Sequence, residues 1–184
     1  MPTKIIKKGS ILLARPSLNL DIFNRSVVIL TEHSENGSVG FIINKPTSIK
    51  INQLFPEINF DEKVKEGGPV ETNNLYYIHK RPDLISNSLP INDQLYWSGD
   101  IDDVKYAIKN DLISPNEINF FFGYCGWTRN QFANEIKNKE WELINEFEFD
   151  VLEEWNNNLW KEILNKLGGT NLVWLNTPSD PFMN

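Results

Sequence analysis

The chain has 184 residues, of which 40% are hydrophobic and 12% aromatic, enough for one sizeable core in a single domain. Its net charge of −7 argues against the broad basic surface that binds nucleic acid without sequence specificity. No apolar run reaches the roughly 18 residues that span a bilayer, and no signal-peptide pattern follows Met1 to Lys8. We therefore expect one cytoplasmic domain over residues 1–184, with residues 170–184 as a C-terminal extension and no contact with a membrane.

The negative charge is concentrated in one segment. Nine acids and three lysines between residues 134 and 162 account for nearly the whole net charge. The rest of the chain is close to neutral, so a local basic patch formed by Arg15, Arg25, Lys45 and Arg129 could still bind an anionic partner. The overall charge disfavours direct nucleic-acid binding without excluding it.

The N-terminal half of the chain predicts three strands. Ser10 to Ala14 is a short apolar run that ends at Arg15-Pro16, because a proline forces extended geometry on the residue before it. Ser26 to Thr31 and Ser38 to Asn44 are rich in Val and Ile. Asn36-Gly37 between them can supply the positive φ angles of a two-residue turn, so these two runs predict a β-hairpin.

The C-terminal half mixes strands and helices. Asp100 and Asp150 are predicted to cap two helices, a short one through Ile108 and the longest one, which runs from Leu152 and ends at Gly168-Gly169. Helices and strands without strict alternation indicate an α+β fold with a mixed or antiparallel sheet. The predicted strands here are residues 75–79, 94–98, 118–122 and the alternating segment 141–149.

The last residues are expected to pack against something. Prolines from Pro178 onward argue against a final helix, while Trp174 and Phe182 would be unfavourable on a free tail. The segment is expected to pack on its own domain, with a partner as the alternative.

A helix start follows the segment Gly123-Tyr124-Cys125-Gly126-Trp127. Thr128 and Gln131 have the spacing of a capping box, and Trp127 and Phe132 that of a hydrophobic staple, which together give a complete structural interpretation. The functional alternative is that the free amides of this helix end, together with Arg129, bind a phosphate or a carboxylate.

Two further features have structural and functional interpretations. Gly67-Gly68-Pro69 lacks the spacing of phosphate-binding loops, which favours a structural turn. Arg25 begins a hydrophobic strand, where it can pair with an acid such as Asp21, the favoured interpretation, or project into a cleft.

The sequence offers little for catalysis or for metal binding. Cys125 could act as a nucleophile with His33 or His79 as the base, but no third orienting residue can be assigned, so a small buried hydrophobe is the better interpretation. Two histidines without neighbouring ligand spacing argue against zinc. We therefore predict no catalytic residue, no metal and no cofactor, and a single cysteine excludes an internal disulfide.

Three segments in order resemble the signature of the AlgH/YqgE family of bacterial proteins, and the similarity covers roughly Gly9 to Gly168. They are the hairpin region Phe23 to Pro46, Gly67-Gly68-Pro69-Val70, and Gly123 to Trp127. The resemblance implies an α+β fold with a coiled, largely antiparallel sheet and flanking helices. The position of Cys125 is usually alanine in the family pattern, which argues against essential chemistry there.

Two function hypotheses follow. Members of the family are mostly labelled as uncharacterised or as transcriptional regulators, and no helix-turn-helix is evident, so the first hypothesis is a binding or regulatory protein that acts through a protein partner. The second is a small-anion receptor or an enzyme with a pocket near the Gly67–Pro69 loop and the Gly123–Thr128 strand–helix junction. Its candidate ligand-binding residues are Arg25, Asn44, Gly67, Gly68, Trp127 and Arg129.

Overall fold

The computed structural model describes residues 5–16, 21–144, 149–153, 155–156 and 158–177. Within them the strands are β1 (Ile11–Ala14), β2 (Val27–Ser34), β3 (Gly37–Ile42), β4 (Pro46–Lys50), β5 (Lys63–Glu66), β6 (Val70–His79), β7 (Leu89–Pro90), β8 (Tyr96–Trp97), β9 (Ile118–Trp127) and β10 (Trp141–Ile144). The α-helices are α1 (Ile51–Leu54), α2 (Ile101–Lys109), α3 (Arg129–Lys137) and α4 (Leu159–Leu167). No helix in these ranges is long and apolar enough to span a bilayer.

The strands form one largely antiparallel sheet in the order β10-β1-β2-β3-β9-β6-β8-β7, and β4 and β5 attach beside β9. Only the β5–β9 pairing is parallel among the described strands. The expected α+β fold with a mostly antiparallel sheet and flanking helices is therefore confirmed.

The central strands are buried on both faces. Alternate residues of β1, β2 and β3 enter two different apolar clusters, so Leu13 and Ile29 face the layer that contains α4, whereas Leu12 and Leu30 face the layer that contains α3. This two-sided burial explains why these strands are continuous hydrophobic runs rather than alternating patterns. A third cluster packs α2 against β6 and β9.

The predicted hairpin forms, but its turn lies one residue earlier than expected. The last strand pair is Ser34 with Gly37, so Glu35 and Asn36 make the connection. Gly37 is instead the first residue of β3, with φ +143°, and a Cβ there would overlap the Trp127 carbonyl oxygen. The glycine is needed for close approach to β9 as well as for the turn.

The longest predicted helix begins later than the sequence suggests. Asp150 does not cap it; its Oδ1 accepts from the Leu152 N–H within a turn, and α4 starts at Leu159. Asn156 Oδ1 accepts from the Asn158 N–H at 2.8 Å, an Asx turn that competes with helix formation. The predicted end at Gly168-Gly169 and the Asp100 cap of α2 are both confirmed.

The C-terminal segment departs from the expectation of no further helix. A 3₁₀-helix covers Gly169–Asn176, ahead of the first proline. Trp174 packs against the core of its own chain and lies under the Arg15 guanidinium, 4.8 Å from the ring centroid. Packing on the same domain is thus confirmed for Trp174, while Phe182 and positions 145–148 of the predicted last strand lie outside the described residues.

One carboxylate ties α3 to the sheet. Glu135 Oε2 accepts from the indole N–H of Trp127 at 2.7 Å and from that of Trp141 at 2.8 Å, and Oε1 accepts from Gln131 at 2.9 Å. Both indoles are nearly fully buried, so no water can replace this acceptor without opening the interface.

Replacing Glu135 with alanine should therefore destabilise the fold by about 3 kcal/mol, because two buried indole N–H groups lose their acceptor. Glu135→Gln, which keeps one carbonyl oxygen, should cost less. Urea unfolding followed by tryptophan fluorescence measures both. Glu162→Ala, at an exposed acid on α4, is the control and should change the free energy of unfolding by no more than about 0.5 kcal/mol.

Candidate functional site

Arg25 and Asn44 meet at the start of β2. Asn44 is fully buried, its Oδ1 accepts from the Val27 N–H at 2.9 Å, and its Nδ2 donates to the Arg25 carbonyl at 3.0 Å. Arg25 Nη2 donates to the Thr177 carbonyl at 2.8 Å, and its guanidinium lies 5.5 Å from the Trp160 ring centroid. The predicted partner, the Asp21 side chain, lies outside the described residues.

Trp127 and Arg129 lie at the opposite end of β3. Ser38, near the start of β3, pairs with Trp127, whereas Asn44 follows the end of this strand. Six residues of extended chain, about 20 Å, separate these two points. The structure therefore does not bring Arg25, Asn44, Trp127 and Arg129 into one concave site, and ligand binding by each of them stays a prediction.

The two glycine segments do come together, but as packed backbone. A Cβ on Gly67 would overlap the Gly123 carbonyl oxygen, and one on Gly68 would overlap the backbone of Tyr124. Gly123 to Trp127 is also part of β9 rather than a loop before the helix. Main chain therefore fills the space directly at Gly67 and Gly68, and a pocket near this loop and the start of α3 stays a prediction.

The start of α3 matches most of the expected cap. Thr128 Oγ1 accepts from the Gln131 N–H at 3.3 Å, and the Trp127 and Phe132 rings are 5.4 Å apart as a staple requires. The Gln131 side chain bonds Glu135 instead of returning to Thr128. The structural interpretation of this segment thus accounts for its residues.

Cys125 is a buried structural residue. Its side chain is fully buried, and Sγ donates to the Gly67 carbonyl at 3.3 Å. Burial raises the pKa of the thiol well above its ordinary value, which keeps it protonated and unreactive near neutral pH. No cluster of three His, Cys, Asp or Glu side chains suited to a metal occurs among the described residues.

His79, which is buried, and Ser88, which is half-buried, form a contact that the sequence did not indicate. His79 Nε2 lies 3.1 Å from Ser88 Oγ and 3.2 Å from the Ser98 carbonyl, while Nδ1 accepts from the Arg81 N–H. The neutral ring therefore carries its proton on Nε2, facing Ser88, and Ser88 Oγ donates to the Ile85 carbonyl. This tautomer cannot accept a proton from the serine, so the contact is structural.

An apolar groove lies between the hairpin and α3. We call it the hairpin–α3 groove; its volume is about 590 Å³, and it is lined by Ile6, His33, Ser34, Glu35, Ser38, Arg129, Phe132, Ala133 and Ile136. One turn-spaced face of α3, from Arg129 through Phe132 and Ala133 to Ile136, forms its wall. A second cavity of about 890 Å³ shares Ile6 and His33 with it and adds Lys7 and Lys8.

The sequence held a weak signal for this groove. Arg129, Ala133 and Ile136 have helical spacing, but the sequence assigns roles only to Phe132, as a staple, and to Arg129, as an anion ligand, and does not join them into one apolar wall. The hairpin wall could not be found from spacing, because α3 reaches it only through the pairing of β3 with β9. The groove offers apolar contact with charged groups at its rim, Glu35 and Arg129, and it also contains a contact between His33 Nδ1 and Ser38 Oγ at 2.8 Å.

Gly67→Ala should destabilise the fold by about 3 kcal/mol, because the new methyl group overpacks main chain that cannot move aside. The matched control is Gly126→Ala, whose Cβ would meet side chains rather than main chain, the Tyr124 ring at 3.2 Å and Val70 at 3.7 Å, and should cost much less. Thermal and urea unfolding give both values. Equal stability of the two variants would contradict the close backbone packing.

Stability should also fall in acid through His79. Burial lowers its pKa, so below the ordinary value of about 6.5 the unfolded chain binds a proton that the folded chain does not. The free energy of unfolding should be constant above that pH and fall below it, by at most about 1.4 kcal/mol per pH unit. Urea titrations between about pH 5.5 and 7.5, above the range in which ordinary carboxylates titrate, measure this slope.

His79→Gln should remove that slope because it has no imidazole. Ser88→Ala keeps the imidazole and loses only the neighbouring hydroxyl group, so the slope should remain in this control. A slope that persists in His79→Gln would show that another group carries it.

Comparison with known proteins assigns the chain to a family. Residues 11–172 match the family model described as AlgH-like. The chain is 39% identical to a UPF0301 protein of Parabacteroides distasonis over 180 residues, which cover 96% of this chain and 91% of that protein. It is 32% identical to a UPF0301 protein of Cytophaga hutchinsonii over 182 residues, covering 98% and 100% of the two chains.

Solved structures agree on the fold. The solution structure of the AlgH protein from Pseudomonas aeruginosa matches with a TM-score of 0.71 and 23% identity, over 97% of this chain and 96% of that one. A crystal structure of a protein from Corynebacterium diphtheriae matches with a TM-score of 0.74 and 19% identity, over 95% and 94%. By family model, relatives and fold together, this chain is a member of the AlgH-like family.

Proposed function

We propose that this protein acts in the cytoplasm by binding a protein partner, as a regulatory or accessory factor, and that the hairpin–α3 groove receives the partner. Any role in transcription, the label often attached to the family, would be exerted through that partner. The single observation that carries the proposal is the groove itself, an open apolar surface on a chain whose candidate nucleophile, Cys125, is buried and protonated.

The lining indicates the chemistry of the partner. Phe132, Ala133 and Ile136 offer an apolar seat for one aliphatic or aromatic side chain, the kind of anchor that dominates peptide recognition. Arg129 stands at the rim, and Lys7 and Lys8 line the adjoining cavity, against Glu35 and Asp93. We therefore propose a partner segment with an apolar anchor and a neighbouring carboxylate that faces Arg129.

The same lining disfavours direct DNA binding. A protein that holds a phosphate backbone needs several cations in a row, whereas most side chains of this groove are apolar or uncharged. The net charge of −7 would add repulsion. A protein partner fits both observations.

The test uses a pair of adjacent exposed positions on α3. Ala133 lines the groove, and Asn134 does not. A photo-crosslinking residue is placed at each position in the full chain, in the native bacterium, and the partner that is crosslinked from position 133 alone is identified and purified.

Ala133→Trp should weaken binding of that purified partner at least about tenfold, a loss of about 1.4 kcal/mol, because the indole fills the groove. Asn134→Trp, the same change in size one position along, should leave the affinity within about twofold. Isothermal titration measures both after circular dichroism has shown that both variants fold. The proposal would be contradicted if both variants bound the partner with equal affinity or if both positions crosslinked it equally. It would also be contradicted if nuclease treatment abolished recovery of the crosslinked partner.

A further inference from the structure

Arg25 makes its described side-chain contacts with a carbonyl and an aromatic ring. Among the described residues it contacts no carboxylate; its acceptor is the neutral carbonyl of Thr177, and its guanidinium lies over the Trp160 ring. Its Nε atom is buried and has no hydrogen-bond partner. A buried N–H of a charged group without an acceptor is unfavourable, and a ligand that supplied an acceptor would remove this cost.

The unmatched donor lies on the edge of Arg25 that best recognises oxyanions. The Nε–H and one Nη2–H of a guanidinium point in the same direction and together match the two oxygens of a carboxylate or phosphate. In Arg25 the Nη2 half of this edge donates to the single carbonyl oxygen of Thr177, and the Nε half donates to nothing. One carbonyl oxygen can fill only half of a two-donor edge.

The edge is held in position from three sides. The Arg25 backbone has φ +55°, uncommon for a side chain of this size, and the buried amide of Asn44 fixes its carbonyl. The Trp160 ring supports the guanidinium and is itself anchored by an indole N–H bond to the Ala14 carbonyl at 2.8 Å. Such pre-organisation reduces the entropy lost when a ligand binds.

A second arginine follows the neighbouring strand. Leu13 pairs with Val27, and the Ala14 N–H donates to the Ser26 carbonyl, so Arg15 and Arg25 each lie one or two positions beyond the paired part of β1 and β2. Arg15 pairs with Glu142 through Nη2, and its Nε is also buried without an acceptor. Glu142 therefore offsets the charge of Arg15.

We propose that the Nε/Nη2 edge of Arg25 is a binding site for an oxyanion, the carboxylate or phosphate group of a ligand. The ligand displaces the Thr177 carbonyl and uses both donors. The segment that carries Thr177 joins α4 through Gly168 and Gly169, both at φ +61° with open space around them, and glycine is the residue with the widest choice of backbone conformation. This site lies at the opposite end of β3 from the hairpin–α3 groove, so either proposal can fail without the other.

The test follows the Nε–H resonance of Arg25 by ¹⁵N NMR in the full chain, titrated with inorganic phosphate and, separately, with acetate at constant ionic strength. A saturable shift with either anion supports the site, and the anion that binds more tightly identifies the class of ligand. The absence of a saturable shift with both anions overturns it, and this measurement needs no variant.

Arg25→Lys keeps the charge but lacks the paired donors, so it should bind the preferred anion at least about tenfold more weakly. Arg81→Lys makes the same change at an arginine that is already paired with Asp83 and Glu117, and should leave the affinity within about twofold. Titration calorimetry on folded proteins measures both. Equal affinity of Arg25→Lys and the wild type would overturn the proposal, because charge alone would then account for binding.

Discussion

The burial of β1, β2 and β3 on both faces is the constraint on which the rest of the structure depends. Each strand sends alternate side chains into two separate apolar clusters, so the sheet must be covered twice. On one face the cover is α3; on the other it is α4 with the C-terminal 3₁₀-helix. The two proposed sites lie at the edges of these layers: the hairpin–α3 groove beside α3, and the Arg25 site beside α4 and the 3₁₀-helix.

The groove exists because α3 is anchored at its inner side and open at its outer side. Glu135 joins the helix to Trp127 and Trp141, which fixes its distance from the sheet. The hairpin extends past this contact, and the gap between the two elements leaves Ala133 exposed and Ile136 half-buried. The site of Arg25 arises in the same way at the other end, where Trp160 covers the last residues of the core.

The buried polar groups described above form hydrogen bonds that stabilise the fold. Asn44 satisfies the backbone where β2 begins, and His79 accepts and donates bonds that close the loop after β6. Cys125 is protonated by burial, and the Ser88 contact of His79 has the wrong tautomer for catalysis. The binding proposal rests instead on the apolar and charged side chains that line the hairpin–α3 groove.

The sequence by itself determined the local elements and the family. The hairpin, the Asp100 and Thr128 caps and the stop at Gly168-Gly169 depend on neighbouring residues, and so do the motifs shared with AlgH-like proteins. The prediction of the start of α4 from the sequence was wrong, because an Asx turn in the Asn-rich segment before it competes with helix formation and delays the helix. Of the candidate site, it singled out Arg25, Asn44 and Arg129 as residues worth attention.

Only the tertiary structure decided which of these residues meet. Asn44 and Trp127 are at opposite ends because β3 separates them, a fact of strand pairing that spacing along the chain does not contain. The loop at Gly67 is filled by the backbone of Gly123, 56 positions away, and the partner of Arg25 is a carbonyl 152 positions away. Such contacts are set by the packing of whole elements, because burial energy depends on the surface they share and not on their distance in sequence.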